Sequence, residues 1–160
     1  MVKEGVNKMK NYTKIIEDKI KSIEEIYNRT ENNIKFYQSK KKHLHAEGER
    51  GCLNAIDYCL YMFVENHNCV TLAQAITEIL SLYAVGYYDY IDEKTAAFCN
   101  DSWIYDCGYL RGVMYCLEVM VGEGKGLDVL STMSSIDKDF DPNNFIKVIE
   151  EQNNILAKEK

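Results

Sequence analysis

One short stretch of the chain concentrates basic side chains. Its members are Lys40, Lys41, Lys42, His43 and His45. Lysine runs neutralise phosphate charge, which makes the stretch a candidate contact for nucleic acid or nucleotide. Cations also offset the dipole at the C-terminus of a helix, and this second role is the one we expect. A metal site on the two histidines would need further ligands, and only Glu47 and Glu49 are near. We therefore expect no metal here and no direct binding of nucleic acid.

Two loops imitate known binding motifs but fail their spacing. The segment Gly122–Gly126 lacks the four residues that a phosphate-binding loop places between its first Gly and its Gly-Lys pair, and it follows a helix. The segment Asp137–Asp141 starts like a calcium loop, but Pro142 occupies the sixth position and Val148 the twelfth, where Gly and Glu are required. We expect a helix stop and a capping loop.

Arg111 lies on the most apolar helical segment, seven residues before Glu118. A buried arginine needs an acidic partner, and Asp57, Asp89 or Asp106 could serve. Alternatively, Arg111 is the centre of an anion-binding or aromatic pocket. The aromatic residues expected around it are Tyr83, Tyr87, Tyr88, Trp103, Tyr105 and Tyr109. Tyrosine and tryptophan are also the residues that dominate protein interfaces, so these side chains suit a protein partner equally well.

The chain offers no local arrangement of residues for covalent or acid–base catalysis. It has three histidines and six cysteines, none of them in a Cys-x-x-Cys pair. Most of the cysteines lie in apolar helical pattern, where a reduced thiol packs as a small hydrophobic group. We expect a non-enzymatic protein with no cofactor.

Two segments have closely similar sequences, one beginning at Gly51 and the other at Gly108. Both place a small residue at every fourth position. These residues are Gly51, Ala55, Cys59, Gly108, Gly112 and Cys116. On a helix this spacing forms a narrow stripe against which another helix can lie close. We predict an all-α bundle of about six helices, with these two related helices at its centre and Gly112 and Ala55 at or near a close crossing.

The first 44 residues predict a long amphipathic helical arm. Apolar positions recur at spacings of four and three, as in a coiled-coil seam. They are Met9, Thr13, Ile16, Ile20, Ile23, Tyr27, Thr30, Ile34 and Tyr37. Because nearly every other position is polar, we expect residues 9–37 to pair with a second copy in a homodimer. The alternative is that the arm packs back on its own chain.

The remaining helices are expected within residues 45–160, one compact acidic domain. Gly48 and Gly51 are predicted as break points before the first repeat helix, and Asn66–Asn68 as a turn after it. A capping box opens at Thr71, Asp101 or Ser102 caps the second repeat helix, and Asp141 with Pro142 starts the last helix.

Composition and charge narrow the class of protein. The 160 residues contain one Pro, 46% hydrophobic residues and a net charge of −6, typical of a soluble helical domain. No apolar run spans a bilayer and no signal peptide is evident, so we expect a cytoplasmic protein. Residues 1–45 carry a net charge of +5 and residues 46–160 a net charge of −11.

These features favour a protein that acts by binding another protein. We expect an inhibitor or adaptor whose acidic helical surface occupies a basic partner, including a nucleic-acid-binding one. Small inhibitors from phages and mobile elements provide the analogy. The alternative function is a ligand-binding regulatory domain with its pocket at Arg111.

Overall fold

The structure is a computed structural model that describes residues 2–65, 71–95 and 100–159, with side chains from residue 16 onward except 64, 65, 93, 95 and 100. Within these ranges it has six α-helices and no strand, which confirms the all-α prediction. The helices are α1 (Val2–Ser39), α2 (His43–Leu60), α3 (Leu72–Thr95), α4 (Asn100–Val121), α5 (Gly126–Ser134) and α6 (Pro142–Leu156). A π-helical turn at Tyr61–Glu65 ends α2, and a 3₁₀ turn at Lys138–Phe140 precedes α6.

The repeat noticed in the sequence is a repeat of helical hairpins. The starts of α2 and α4, at His43 and Asn100, are separated by the same 57 positions as Gly51 and Gly108. In each half the two helices run antiparallel: α1 with α2 in the first half, and α3 with α4 in the second. The two second helices, α2 and α4, lie parallel at the centre of the molecule.

Equivalent positions of the two repeats face each other across this central pair. A Cβ atom built on Gly112 would lie 3.0 Å from the Cβ atom of Ala55, its counterpart in the other repeat. One turn further along, the thiols of Cys59 and Cys116 are in hydrogen-bond contact. The small-residue stripes therefore allow backbone-to-backbone packing, as their four-residue spacing predicts.

The hydrophobic core extends from this helix pair into every layer. Its fully buried side chains include Ile56 of α2, Ile79 and Tyr83 of α3, and Leu110 and Leu117 of α4. From Val113 to Met120, α4 is buried on most of its circumference, as its apolar sequence predicts. The segment α5–α6 covers one side through Leu130, Phe140, Phe145 and Val148.

The apolar stripe of α1 packs on its own chain. Ile16, Ile23, Thr30 and Ile34 are buried against the body, and Ile16 and Ile23 belong to the same core as α2 and α4. The apolar stripe alone predicts that residues 9–37 pair between two copies, because the stripe must be covered. Over residues 16–37 the body of the same chain provides this cover. The side chains of Met9 and Thr13 lie outside the described residues. A homodimer through residues 9–37 stays a prediction.

Lys19 links α1 to the end of α4. Its Nζ donates a hydrogen bond of 3.0 Å to the carbonyl of Val119, in the last turn of α4. The carbonyls of a last helical turn lack intrahelical donors, and a cation there also offsets the helix dipole.

The prediction that Gly48 and Gly51 break the chain is wrong. Both lie inside α2, and the chain turns before it, at Lys41, whose φ is 58°. A Cβ atom on Gly51 would lie 2.0 Å from the carbonyl oxygen of Tyr105, so this glycine serves helix contact. The predicted turn at Asn66–Asn68 lies outside the described residues. The predicted caps of α4, Asp101 or Ser102, are wrong, because α4 already includes Asn100 and both residues lie inside it.

Two predicted helix starts are confirmed by their hydrogen bonds. Thr71 and Gln74 bond reciprocally, with the Gln74 amide 3.2 Å from the Thr71 hydroxyl and the Thr71 amide 3.1 Å from the Gln74 side chain. The Asp141 carboxylate accepts from the amide of Asn143, with Pro142 at the first position of α6.

Candidate interaction surface

Arg111 is held in an ion pair between the two central helices. Its Nη1 lies 3.1 Å from Oε1 of Glu49, and its Nη2 lies 3.5 Å from the carbonyl oxygen of Gly48. Glu49 is 7% exposed, so the pair is largely removed from water. The acidic partner in this ion pair is thus Glu49, and not one of the three aspartates that the sequence suggested. Glu49 directly follows Gly48, the residue of α2 at which α2 and α4 come closest.

Glu118, which shares a face with Arg111, caps the following helix. Its Oε2 accepts from the amides of Lys125 and Gly126 at 3.0 and 3.1 Å. These amides begin α5 and have no partner within the helix. Gly122 and Gly124 in the intervening loop have φ values of +113° and +79°, which explains the glycine cluster as a turn.

The aromatic residues predicted around Arg111 are not brought together there. Tyr87 and Trp103 belong to an internal stack, each about 6 Å from the ring of Tyr90 (6.2 and 6.1 Å). The Arg111 guanidinium lies over the ring of Tyr115, 6.0 Å from its centroid. The prediction that these aromatic residues form one pocket at Arg111 is therefore wrong.

The Tyr90 ring is anchored by a residue of α6. Its hydroxyl donates to the carboxylate of Glu151, which also pairs with Lys94 at 2.7 Å. Burial, together with the hydrogen bond to Glu151, raises the pKa of Tyr90 far above its usual value. This cluster ties α3 to α6 and serves packing.

Arg111 lines two clefts. One, of about 590 Å³, is mainly apolar and is bordered by Met114, Phe145 and Ile149 among others. The second, of about 360 Å³, brings Arg111 and Glu49 beside His45 and Asn153. Both remain candidates for a small ligand, but the guanidinium is already engaged with Glu49.

Tyr105 and Tyr109 lie elsewhere, in a third cleft of about 480 Å³ between α2 and α4. We call it the tyrosine cleft. Its lining residues are Asn54, Asp57, Tyr58, Tyr61, Tyr105 and Tyr109. Tyr58 and Tyr61 are 50% and 48% exposed, and their ring centroids are 6.3 Å apart. Within the lining of the cleft, the Asn54 amide donates a hydrogen bond to the Tyr105 hydroxyl.

The electrostatic environment of the tyrosine cleft is negative. Burial raises the pKa of Tyr109 to about 12, and Cys59, the neighbouring Tyr105 and Tyr58, and Asp89 of α3 add to the effect. Burial also raises the pKa of Tyr27, with Asp57 contributing next. Burial is the first cause of both shifts, and the negative charge of this region is that of the Asp57 and Asp89 carboxylates, which favour a cation here over an anion.

Exposed apolar side chains continue from the cleft onto α3. Gly86 of α3 lies against the ring of Tyr109: a Cβ atom built on Gly86 would be 3.0 Å from Cδ1 of that ring. Beside Gly86 on α3, Val85 and Tyr88 are among the most exposed large hydrophobic residues. Tyr88, predicted at the Arg111 pocket, therefore belongs to this outer surface.

The basic cluster forms the turn between α1 and α2. Lys40 lies over the ring of Phe36 at 5.9 Å, and the amides of Lys41 and Lys42 bond to carbonyls of the last turn of α1. His45 lies 2.6 Å from the carboxylate of Glu159.

Across the described ranges, no group of three or more His, Cys, Asp or Glu side chains is placed to hold a metal ion. The loop carboxylates of Asp137 and Asp141 accept backbone hydrogen bonds as caps.

No family model, no curated protein and no solved structure matches this chain. In the part of the chain that the structure describes, no helix combines the length and hydropathy that a membrane span requires.

Sequence reasoning missed Glu49, Tyr58 and Asn54 as site residues. A signal for the cleft was present, because Asn54, Asp57 and Tyr61 form the polar edge of the first repeat helix. Tyr105 and Tyr109 lie four apart on the second repeat helix and face the same direction. Only the parallel packing of α2 and α4 shows that these two edges adjoin.

Proposed function

We propose that this chain is a non-enzymatic protein-interaction protein, an inhibitor or adaptor whose acidic helical surface occupies a basic protein partner. The observation that carries the proposal is the tyrosine cleft with its exposed aromatic rings and carboxylates. Tyrosine supplies large contact area at low entropy cost, and it is enriched among the residues that dominate binding energy. A cleft of this kind is suited to an anchor side chain from the partner.

The charge on this surface favours a basic partner. Asp57 and Asp89 are exposed, and neither has a cation within salt-bridge distance in the described part of the chain. A negative patch steers a positive partner during encounter and gives the complex a strong salt dependence. A nucleic-acid-binding protein is one such partner, since carboxylates presented to its basic groove would replace phosphates.

The test is capture of a basic protein from the native cell by variants of matched charge. Asp57→Lys with Asp89→Lys reverses two charges at the surface, whereas Glu25→Lys with Glu150→Lys makes the same change at exposed sites elsewhere. We expect stoichiometric, salt-sensitive capture by wild type and by the Glu25/Glu150 variant, and loss in the Asp57/Asp89 variant. Equal loss in both variants would reduce the interaction to net charge and count against the surface.

A second candidate function is ligand binding beside Arg111. It is favoured by the 360 Å³ cleft in which Arg111, Glu49, His45 and Asn153 converge. Thermal stabilisation by nucleotides or small anions, absent in Arg111→Ala, would support it. Nucleic-acid binding through Lys40–Lys42 is the least favoured function; a gel-retardation assay at low salt, with all three lysines changed to Ala as the comparison, tests it.

A further inference from the structure

We infer that the tyrosine cleft binds the guanidinium group of an arginine side chain. This inference rests on the proposed function, because it names the group by which a basic partner would be anchored. Four tyrosines from two helices surround the cleft, and Asp57 provides a carboxylate at its wall. Aromatic faces beside a carboxylate form the kind of cage that recognises organic cations.

The tyrosine rings are available to a cation. The planes of Tyr58 and Tyr61 are inclined by 50°, and about half of each residue is exposed. Elsewhere in the protein, cations already lie over rings: Lys40 over Phe36, Lys94 over Tyr90 and Arg111 over Tyr115. Among the described residues, no cation lies over Tyr58 or Tyr61.

The polar groups of the cleft also favour a cationic donor. The side chain of Asp57 is exposed and forms no ion pair with the described residues, so its carboxylate can accept from a ligand. The phenol hydroxyls of Tyr58, Tyr61 and Tyr109 add polar groups to the lining of the cleft. An apolar ligand would leave these groups without partners, and an anion would be repelled by Asp57 and Asp89.

Arginine fits this combination better than lysine. Its planar guanidinium stacks on a tyrosine ring while its edge donates hydrogen bonds to a carboxylate. A lysine ammonium holds its water more tightly and cannot stack. The cleft volume of about 480 Å³ has room for the guanidinium and the methylene chain behind it.

The inference is tested by titrating short peptides into protein whose tyrosines carry an isotope label for nuclear magnetic resonance. One peptide carries a single arginine between glycine and serine residues; two others replace that arginine with lysine or with citrulline, which keeps the shape without the charge. We expect the arginine peptide to shift the ring signals of Tyr58, Tyr61, Tyr105 and Tyr109 by nuclear magnetic resonance. We expect the citrulline peptide to bind at least about tenfold more weakly.

Matched variants locate the binding. Asp57→Asn and Tyr58→Leu should each weaken the arginine peptide about fivefold or more, because each removes one half of the cage. Glu150→Gln and Phe36→Leu change an exposed carboxylate and an exposed aromatic ring outside the cleft, and they should leave the affinity unchanged. Melting curves confirm that the variants are folded. Equal binding of the arginine and citrulline peptides, or shifts only at other tyrosines, would overturn the inference.

The peptide titration and the capture experiment fail in different ways. If wild type captures a basic partner but millimolar arginine peptide leaves the four tyrosines unshifted, the cage is wrong and the proposed function stands. If the peptide binds in the cleft but no basic protein is captured, the cage stands and the proposed function fails. Capture that survives Asp57→Asn and Tyr58→Leu would also overturn the cage as the partner's anchor.

Discussion

Gly108 of α4 lies so close to Gly48 of α2 that a Cβ atom built on it would be 1.8 Å from the Gly48 carbonyl oxygen. The reciprocal contact places a Cβ on Gly51 at 2.0 Å from the carbonyl oxygen of Tyr105. Tyr105 is the counterpart of Gly48 in the second repeat, so the two contacts are related by a local two-fold arrangement of parallel helices. The wall of the tyrosine cleft depends on this contact, because it sets how near α2 and α4 stand.

Gly108→Ala should therefore destabilise the protein strongly. The added methyl group meets backbone, which cannot rotate away, so the two central helices must separate and lose core packing. We expect a loss of about 3 kcal/mol or more in the free energy of unfolding, measured by urea denaturation.

Gly86→Ala is the matched control for this substitution. Gly86 is also a buried helical glycine, but its nearest neighbours are side-chain atoms of Tyr109 and Leu110, at 3.0 Å and beyond. Alanine also favours a helix over glycine by about 1 kcal/mol, so the control should stay within about 1 kcal/mol of wild type. Equal stability of the two alanine variants would show that the close contact does not hold the pair together.

The sequence could predict the central helix pair because its cause is local. Small residues at every fourth position and an apolar circumference are visible in the letters of the two repeats. The same reasoning failed at Gly48 and Gly51, where a glycine required for contact between helices was interpreted as a break. Single-sequence patterns do not separate these two uses of glycine, since both depend on the missing side chain.

The candidate site was less predictable because it depends on the relative position of helices. Arg111 and the tyrosines of α4 were grouped by nearness in sequence, yet Arg111 faces Glu49 while Tyr105 and Tyr109 face the other side of the helix. The apolar stripe of α1 shows the same limit. Its spacing indicates that something must cover it, but not whether the cover is a second copy or the body of the same chain.

Replacing Arg111 with methionine should expose the cost of leaving Glu49 unpaired. Glu49 is buried and Arg111 is the cation beside it, with a side chain that is 22% exposed. We expect Arg111→Met to lose about 2–4 kcal/mol of stability, because the remaining carboxylate stays in a poorly solvated site.

The partner substitution checks this explanation. Glu49→Leu combined with Arg111→Met removes both charges and should recover most of the loss, since apolar replacements of a buried ion pair are often nearly neutral. The double-mutant cycle is measured by urea denaturation of the four proteins. Losses that simply add would show that each residue acts alone, and the ion pair would not explain the stability of this region.

Glu159 should make the stability of the protein depend on acid pH. Its carboxylate accepts from the amides of Leu44 and His45 at 2.6 and 2.9 Å, at the start of α2. Burial alone would raise the pKa of Glu159, but these bonds and the contact with the His45 ring outweigh it and lower the pKa below its usual 4.5. A lowered pKa stabilises the folded state above the unfolded-state value, and the contribution is lost as the pH falls through the folded-state value.

Glu159→Gln should accordingly cost about 1 kcal/mol at neutral pH, and the difference from wild type should shrink as the pH falls below 4.5 and through the lowered folded-state pKa. Thermal unfolding across this pH range measures it. Glu150→Gln, at an exposed position of α6, should show no such pH-dependent difference. A Glu159→Gln penalty that persisted unchanged in acid would mean that the carboxylate contributes through shape and not through charge.

The buried thiols should be protected from alkylation in the folded protein. Burial raises the pKa of Cys52 to about 11 and that of Cys107 to about 12. The pKa of Cys116 is raised by its hydrogen bond with Cys59 and then by burial at the helix crossing. Thiolate is the reactive form of cysteine, so a rise of the pKa from 9 to about 11 lowers the thiolate population about a hundredfold even before access is considered.

Site-resolved mass spectrometry after iodoacetamide treatment near pH 8 should find Cys52, Cys59, Cys107 and Cys116 unmodified until denaturant is added. Cys69 and Cys99 lie outside the described residues and are scored separately. Labelling of Cys59 and Cys116 as fast as in denaturant would mean that α2 and α4 part readily, and the close glycine contact could not be the stable centre of the fold.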